Sequence, residues 1–372
     1  MGDPIRILHV VVNMNRGGAE TLLMNLYRNI DHSKVQFDFL TSKEGVFDVE
    51  ILKMGGKIHR IPYVSDVGHY AYIKALNKFF SSHSEYKIVH SHLDKMSGFV
   101  LRSAERTNTP IRIAHSHNTS SEGGVVAKAY KWIAGKYILP CATHYFACSD
   151  KAANWLFEDK VVNATILKNG IESDQYVFNS EVRNQVRQEL NLTRDTFVIG
   201  HVGRFAHQKN HSFLIDIFAQ LNNDNPDSVL VLAGDGPLRL DIEKKVRDLN
   251  LLGKVIFLGI RNDINRLLQA FDVFVFPSWH EGLPVTLIEA QGSGLPCIIS
   301  DVITSEVDMG AGLVQFENLN KPSDAWAKRV IQQNKRVLEV QDHIQKKGFD
   351  IRVPAKWLQK FYLDQTEEWM TS

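Results

Sequence analysis

Cysteine is scarce in this 372-residue chain, neither sign of charge dominates, and long apolar runs are missing. Each shortage closes off a class of protein. Three thiols, Cys141, Cys148 and Cys297, are too few and odd in number for a secreted disulfide framework, so a reducing compartment is expected. Lys plus Arg (43) against Asp plus Glu (42) leaves a net charge of +1, which gives no reason to expect a nucleic-acid partner. No stretch approaches the roughly 18 apolar residues of a membrane span. The apolar run 7–12 is too short for a signal peptide, and Arg6 stands where myristoylation requires Ser or Thr. A cytoplasmic protein is expected, and the sequons at Asn118, Asn163 and Asn191 then read as chance matches. The three-glycine spacing of a nicotinamide site is absent at Gly17-Gly18 and around Gly234-Asp235-Gly236.

What is present has a clear rhythm. Apolar residues make up 44% and charged residues 23%, ordinary globular values, and the length suits two domains. Short apolar runs alternate with helical patterns, as parallel βαβ units require. Strands are expected at 5–12, 36–40, 57–61, 88–92, 111–115 and 144–147. A fresh series follows at 197–202, 229–233, 255–258, 273–276 and 296–299. The reading is α/β with two doubly wound, Rossmann-like domains, 1–172 and 173–354. An aromatic helix at 355–372, carrying Trp357, Phe361, Tyr362 and Trp369, is expected to cross back to the first domain.

Four groups of residues carry chemistry. The first is Pro277 to Pro284, continuing to Glu289. If Pro284 opens a helix, the loop from Glu281 presents backbone N–H groups at a helix N-terminus, and Glu289 lies one to two turns on. Carboxylates accept paired hydrogen bonds from vicinal hydroxyls, so sugar or ribose is a fitting ligand. The bland reading is a helix-start charge at Glu281 and a solvated Glu289. The second group is Gly203-Arg204-Phe205-Ala206-His207-Gln208-Lys209-Asn210, directly after a strand. Arg204 as a planar fork and Lys209 as a point charge can neutralise a departing diphosphate, where fixed donors count most. A basic turn exposed to water is the competing reading.

The third group, Gly17-Gly18-Ala19-Glu20, lets backbone approach a ligand at a helix N-terminus, or simply makes a tight turn. The fourth is two histidine pairs at strand ends, His90-Ser91-His92 and His115-Ser116-His117. Alternate residues share a face, so either pair resembles two metal ligands, yet no Cys or carboxylate completes a site. Satisfied structural histidines, or His117 bonding a sugar from the opposite domain, are the other readings, and no metal is assigned.

The order Gly-Gly-Ala-Glu, His-Ser-His, Asn-Gly-Ile, Gly-Arg-x4-Lys, Ala-Gly-Asp-Gly-Pro and Glu-Gly-Leu-Pro-x4-Glu resembles the retaining glycosyltransferase family four. The likeness is greatest to enzymes of bacterial exopolysaccharide and capsule operons and covers nearly the whole chain. It implies a GT-B fold, two domains facing across a cleft, and transfer of a hexosyl or N-acetylhexosaminyl unit from a nucleotide-diphosphate sugar with retention. The resemblance places Gly17 and Gly18 near the diphosphate, His117 near the reacting centre, and Arg204 and Lys209 on the diphosphate beside Gly203. Glu281 with Gly282, Leu283 and Pro284 would hold the sugar, Glu289 the ribose, and Gly259, Ile260 and Arg261 would lie near the base. No cofactor is implied beyond the substrate, with UDP favoured over GDP. Asn210 departs from the family, which has glycine after the lysine. A same-fold epimerase and a non-catalytic sugar-nucleotide sensor are the alternatives. For the acceptor, a sugar or lipid-linked sugar, residues 125–137 mix Lys128, Lys131 and Lys136 with Tyr130, Trp132 and Tyr137. They read either as an ordinary amphipathic helix or as a peripheral contact with the inner face of the cell membrane.

Overall fold

The computed structural model describes residues 3–158, 164–332 and 335–371. Met1, Gly2 and the sequon at Asn163 lie outside these residues. The chain divides into two compact units, Met1–Gly170 with Ile351–Ser372, and Ile171–Asp350. The boundaries expected from sequence lie two and four residues further along.

In the first unit, seven strands form one sheet: β1 (Ile5–Val10), β2 (Val35–Thr41), β3 (Ile58–Arg60), β4 (Ile88–Ser91), β5 (Ile111–Ser116), β6 (His144–Ala147) and β7 (Thr165–Ile166). Their order is β3-β2-β1-β4-β5-β6-β7, with every pairing parallel. The second unit holds β8 (Phe197–Val202), β9 (Ser228–Ala233), β10 (Val255–Gly259), β11 (Val273–Phe276), β12 (Cys297–Ser300) and β13 (Val314–Glu317). Here the order is β10-β9-β8-β11-β12-β13, again parallel. Helices cover both faces of such sheets, which is why β2, β9, β11 and β12 are buried along their whole length and β9, β11 and β12 are almost wholly apolar, whereas β2 also buries Gln36, Asp38 and Thr41. The strands missed from sequence, β7 and β13, are short and lie at sheet edges, where little apolar pattern is needed.

In each sheet the first strand is flanked by the second and the fourth in local order, so the winding reverses beside it. Ligands of open α/β sheets bind outside the strand C-termini at such a reversal. The ends of β1 and β4, and those of β8 and β11, are therefore where chemistry is expected.

The chain enters and leaves the second unit side by side: Ile171 bridges Asp350, and its N–H donates to Phe349 O at 2.8 Å. Residues 173–189 are structured rather than a linker. The helix Ser180–Glu189 is capped by Asn179, whose side chain accepts from the N–H groups of Glu181 and Val182, and its Arg187 donates to Asp272 at 2.7 Å. The last helix, Arg352–Thr371, packs on the first unit. Ala355, Leu358 and Tyr362 recur at helical spacing and join Ile7, Phe37 and Phe39 in one core. Burial of a side chain such as Leu358 is worth about 1.5–3 kcal/mol. Trp357 and Trp369 stay partly exposed, Trp357 against Phe146 and Trp369 under the Lys87 ammonium.

Candidate functional site

In the second unit the turn after β8 is built by close backbone contact. Gly234 has φ +140°, and a Cβ there would stand 2.0 Å from Gly203 O; a Cβ on Gly236 would stand 2.5 Å from Phe205 O. The Gly-Asp-Gly turn after β9 is thus pressed onto Gly203–Phe205, with Gly203 N–H donating to Ala233 O and Phe205 N–H to Asp235 O. Its glycines serve packing. The following turn, His207–Lys209, ends at Asn210, whose φ of +54° is left-handed. That conformation explains a family glycine here and why Asn, the non-glycine residue most at ease in it, keeps the turn.

Lys209 is held firmly. Its Nζ donates to Glu281 Oε1 at 2.7 Å and lies 4.6 Å from the Phe276 ring centroid. The turn after β8 is tied to the loop after β11 by Trp279 N–H to Gln208 O and by Gln208 Nε2 to His280 O. The Arg204 side chain is exposed and makes no hydrogen bond or ion pair to another of the described residues, its carbonyl alone accepting from Ala206 N–H. One cation is fixed, and the other is available to a ligand. Gly282, Leu283 and Pro284 are buried, and Pro284 occupies the cap of the helix Val285–Gly292, one position before its expected place.

Glu289 overturns the bland reading given to it. It is 7% exposed and accepts from Tyr176 Oη at 2.7 Å, and burial pushes its carboxyl up to about 6. Tyr176 lies 113 residues away in the chain, and no local pattern marks it. Gly259 closes β10 with φ +64°, and Ile260 beyond it is 60% exposed. The Arg261 guanidinium is committed to Asp263, at 2.8 and 2.6 Å, so this loop offers a ligand its backbone and Ile260.

In the first unit, Gly17 caps the helix Gly18–Arg28. A Cβ on Gly17 would meet the Glu20 carboxylate at 2.2 Å, whereas one on Gly18 would meet nothing within 4 Å. Gly18 therefore opens onto free space at a helix N-terminus, while Gly17 lies against the end of the Glu20 side chain. His117 follows β5. Its N–H donates to Asp94 Oδ1 at 3.0 Å, and Asn118 Nδ2 donates to Asp94 Oδ2 at 2.9 Å. Asp94 is a residue that sequence reasoning missed. It is held in left-handed backbone (φ +48°), and burial raises its carboxyl above the usual range.

The two histidine pairs meet. In register, His9 of β1 lies opposite His90 of β4, and the five rings of His9, His90, His92, His115 and His117 form one buried cluster. Two sets of three, His9/His90/His92 and His92/His115/His117, bring ring nitrogens within 4.8 Å of one another. Sequence reasoning missed His9, although its position on the first strand was the available signal. Burial lowers all five; His9 and His117 fall to about 3, so each is a neutral imidazole.

The comparisons agree with this geometry. The family model for glycosyl transferases group 1 matches residues 182–314, and that for glycosyltransferase family 4 matches 16–175. EpsF of Bacillus subtilis, named a glycosyltransferase, is 41% identical over 337 residues, 87% of this chain and 86% of that protein. The chain belongs to the family-four glycosyltransferases. A second relative, the capsular polysaccharide biosynthesis glycosyltransferase CapH of Staphylococcus aureus, is 26% identical over 379 residues, covering 97% of this chain and 99% of its own. Among solved structures, HepE of Anabaena in complex with UDP and glucose superposes with a TM-score of 0.79 at 19% identity, over 97% of this chain and 100% of that one. That likeness establishes the GT-B type of α/β fold for this glycosyltransferase. Neither an epimerase nor a sensor finds support in these relatives. Among the described residues, no helix of the glycosyltransferase is long and apolar enough to cross a membrane.

Proposed function

We propose that this glycosyltransferase moves a hexosyl or N-acetylhexosaminyl unit from a UDP-sugar to a hydroxyl of a sugar or lipid-linked sugar, with retention, in exopolysaccharide or capsule assembly. The second unit holds the donor and the first unit the acceptor. The name of CapH supports the pathway, and the UDP and glucose bound by HepE support the donor. The carrying observation is Lys209, set by Glu281 and Phe276 at the sheet reversal, with exposed Arg204 beside it.

In this reading, Arg204 and Lys209 meet the diphosphate as charge grows on it, helped by the Gly203 turn. The amides of Gly282 and Leu283, with Glu281, hold the sugar. Glu289 accepts from ribose hydroxyls; those donors favour its ionised form and offset the cost of burying it. The acceptor oxygen bonds to the anomeric carbon on the face from which the diphosphate leaves. The acceptor proton passes to a departing phosphate oxygen.

Lys209→Met is expected to lower turnover of a UDP-sugar about 10²–10³-fold, the usual cost of removing a transition-state contact. Turnover within a few-fold of wild type, in a folded variant, sinks the assignment. Side chains supply the positive charge here, so excess chelator should leave the rate unchanged.

A lipid-linked acceptor draws support from the helix Val125–Gly135. Val125 and Val126 are each 85% exposed, Trp132 is 54% exposed, and Lys128 and Lys131 share the helix. Apolar side chains in water beside lysines suit an anionic bilayer surface. Cosedimentation with phosphatidylglycerol vesicles, weakened by Trp132→Ala and by salt, is the expected outcome; no binding at low salt removes this part.

A further inference from the structure

Three helices of the first unit, Val64–Ser82, Ser97–Glu105 and Val125–Gly135, line a cavity of about 290 Å³ that has no part in the sugar chemistry above. Phe99, almost fully buried, forms its apolar floor, with the His69 ring at 5.2 Å and the Tyr130 ring at 5.5 Å. His69 Nδ1 and Tyr130 Oη stand 2.8 Å apart and join the first of these helices to the third. The rim is basic, with Arg102 and Arg106 both exposed on it. No Asp or Glu is among the residues that line the cavity. Glu105, between the two arginines in sequence, is engaged elsewhere, with Arg112 and with Cys141 Sγ.

Arg102 and Arg106 are four residues apart on one helix, a spacing at which like charges repel. A helix C-terminus favours cations, which accounts for their sign and not for the aromatic cavity beside them. The Arg102 guanidinium lies over the Tyr137 ring, 4.3 Å from its centroid, and Tyr137 lines the same cavity. Such a contact fixes the group while using none of its N–H donors. Among the described residues neither guanidinium has a carboxylate or carbonyl partner. Two planar forks of N–H groups match the paired oxygens of a phosphate. The apolar side of the ligand is read from the third helix. Ile133 lines the cavity and is 48% exposed, and Val126, at helical spacing from Tyr130 and Ile133, lies almost wholly in water. An apolar face therefore runs out of a basic cavity. A soluble phosphate would leave that face uncovered, whereas an anionic amphiphile covers both.

We propose that this cavity is a headgroup site for one anionic phospholipid, with Arg102 and Arg106 on its phosphate and its acyl chains along Ile133 and Val126. The site lies wholly within the first unit. It rests on the bilayer contact proposed above for the helix Val125–Gly135, and replaces a diffuse attraction of lysines to a charged surface with a stoichiometric one. A headgroup seated there fixes which face of the first unit meets the bilayer.

The test is calorimetric titration of the full chain with dihexanoylphosphatidylglycerol below its micelle concentration, alongside cosedimentation with phosphatidylglycerol vesicles. One saturable site is expected. Arg102→Lys with Arg106→Lys keeps the charge and loses the forks, and should weaken the short-chain lipid about tenfold while vesicle binding at low salt falls less. Arg102→Gln with Arg106→Gln should weaken it further. Both side chains are exposed, so an unchanged thermal transition is expected of each variant. Dihexanoylphosphatidylcholine has the same chains and no net charge, and inorganic phosphate has the charge and no chains; each should bind about tenfold more weakly, or less well still. Equal affinity for either overturns the proposal, as does unchanged affinity in the glutamine variant. A wild type that sediments with vesicles but shows no saturable short-chain binding loses the headgroup site and keeps the bilayer contact. No sedimentation at low salt ends both.

Discussion

The first unit surrounds its strand ends with five neutral imidazoles; the second surrounds its own with Lys209, Glu281 and Glu289, backed by two buried histidines, His201 and His211. The strand order is the same in both, so the difference lies in what each sheet reversal must do. Buried neutral rings offer directed N–H groups without charge, which suits orienting a hydroxylic ligand. A desolvated cation beside a carboxylate suits an anion whose charge changes during reaction. The second unit keeps a cation at its strand ends, and the first sets imidazoles there beside the Asp94 carboxyl.

Acid should separate the two most strongly. A histidine that stays neutral when folded stabilises fully above its unfolded value near pH 6.5, and that stability drains as pH falls below it. Each costs about 1.4 kcal/mol per pH unit there. The five rings of the first unit together cost about 7 kcal/mol per unit. His201, lowered to about 4 by burial, and His211, lowered to about 2, cost the second about 3. Hydrogen exchange by mass spectrometry at pH 5 is expected to show the first unit open while the second is protected. Equal loss of protection in both would break the contrast.

A smaller effect should come from Gly234. Its left-handed backbone and a Cβ 2.0 Å from Gly203 O leave Gly234→Ala strained and overpacked, costing the second unit about 3 kcal/mol. Thermal unfolding should show the second unit alone destabilised.

Glu289→Gln tests the opposite sign. The folded carboxyl, at about 6, is above its unfolded value, so its contribution is present at low pH and lost as pH rises through 6. The variant should gain about 2 kcal/mol over wild type between pH 4 and pH 8, while losing affinity for UDP. A pH-independent difference would mean that the carboxyl is not desolvated. Smallest is Tyr362→Phe, which removes the bond to His90 Nδ1 and should cost the first unit about 1 kcal/mol in denaturant titration.

Much of this was legible beforehand. The alternation of apolar runs and helical periods announced two parallel sheets because strands buried on both faces can hardly be written otherwise. Lys209 and Glu281, 72 residues apart, are expected near one ligand, one on the diphosphate and the other on the sugar; their direct ion pair is what the structure adds. Asn210 was noticed as a departure, and its left-handed backbone supplies the reason. The family resemblance implies Arg261 near the base, and its pairing with Asp263, two residues on, takes up the guanidinium.

Local pattern determined the elements, their sequence and the loops that carry chemistry, because periodicity and turn residues act over a few positions. Tertiary structure alone decided that His9 joins His92 across 83 residues, that Tyr176 caps Glu289, and that Asp94 ties down His117. Those contacts depend on strand register and helix docking, which place distant side chains within 3 Å and leave no trace in any window of sequence.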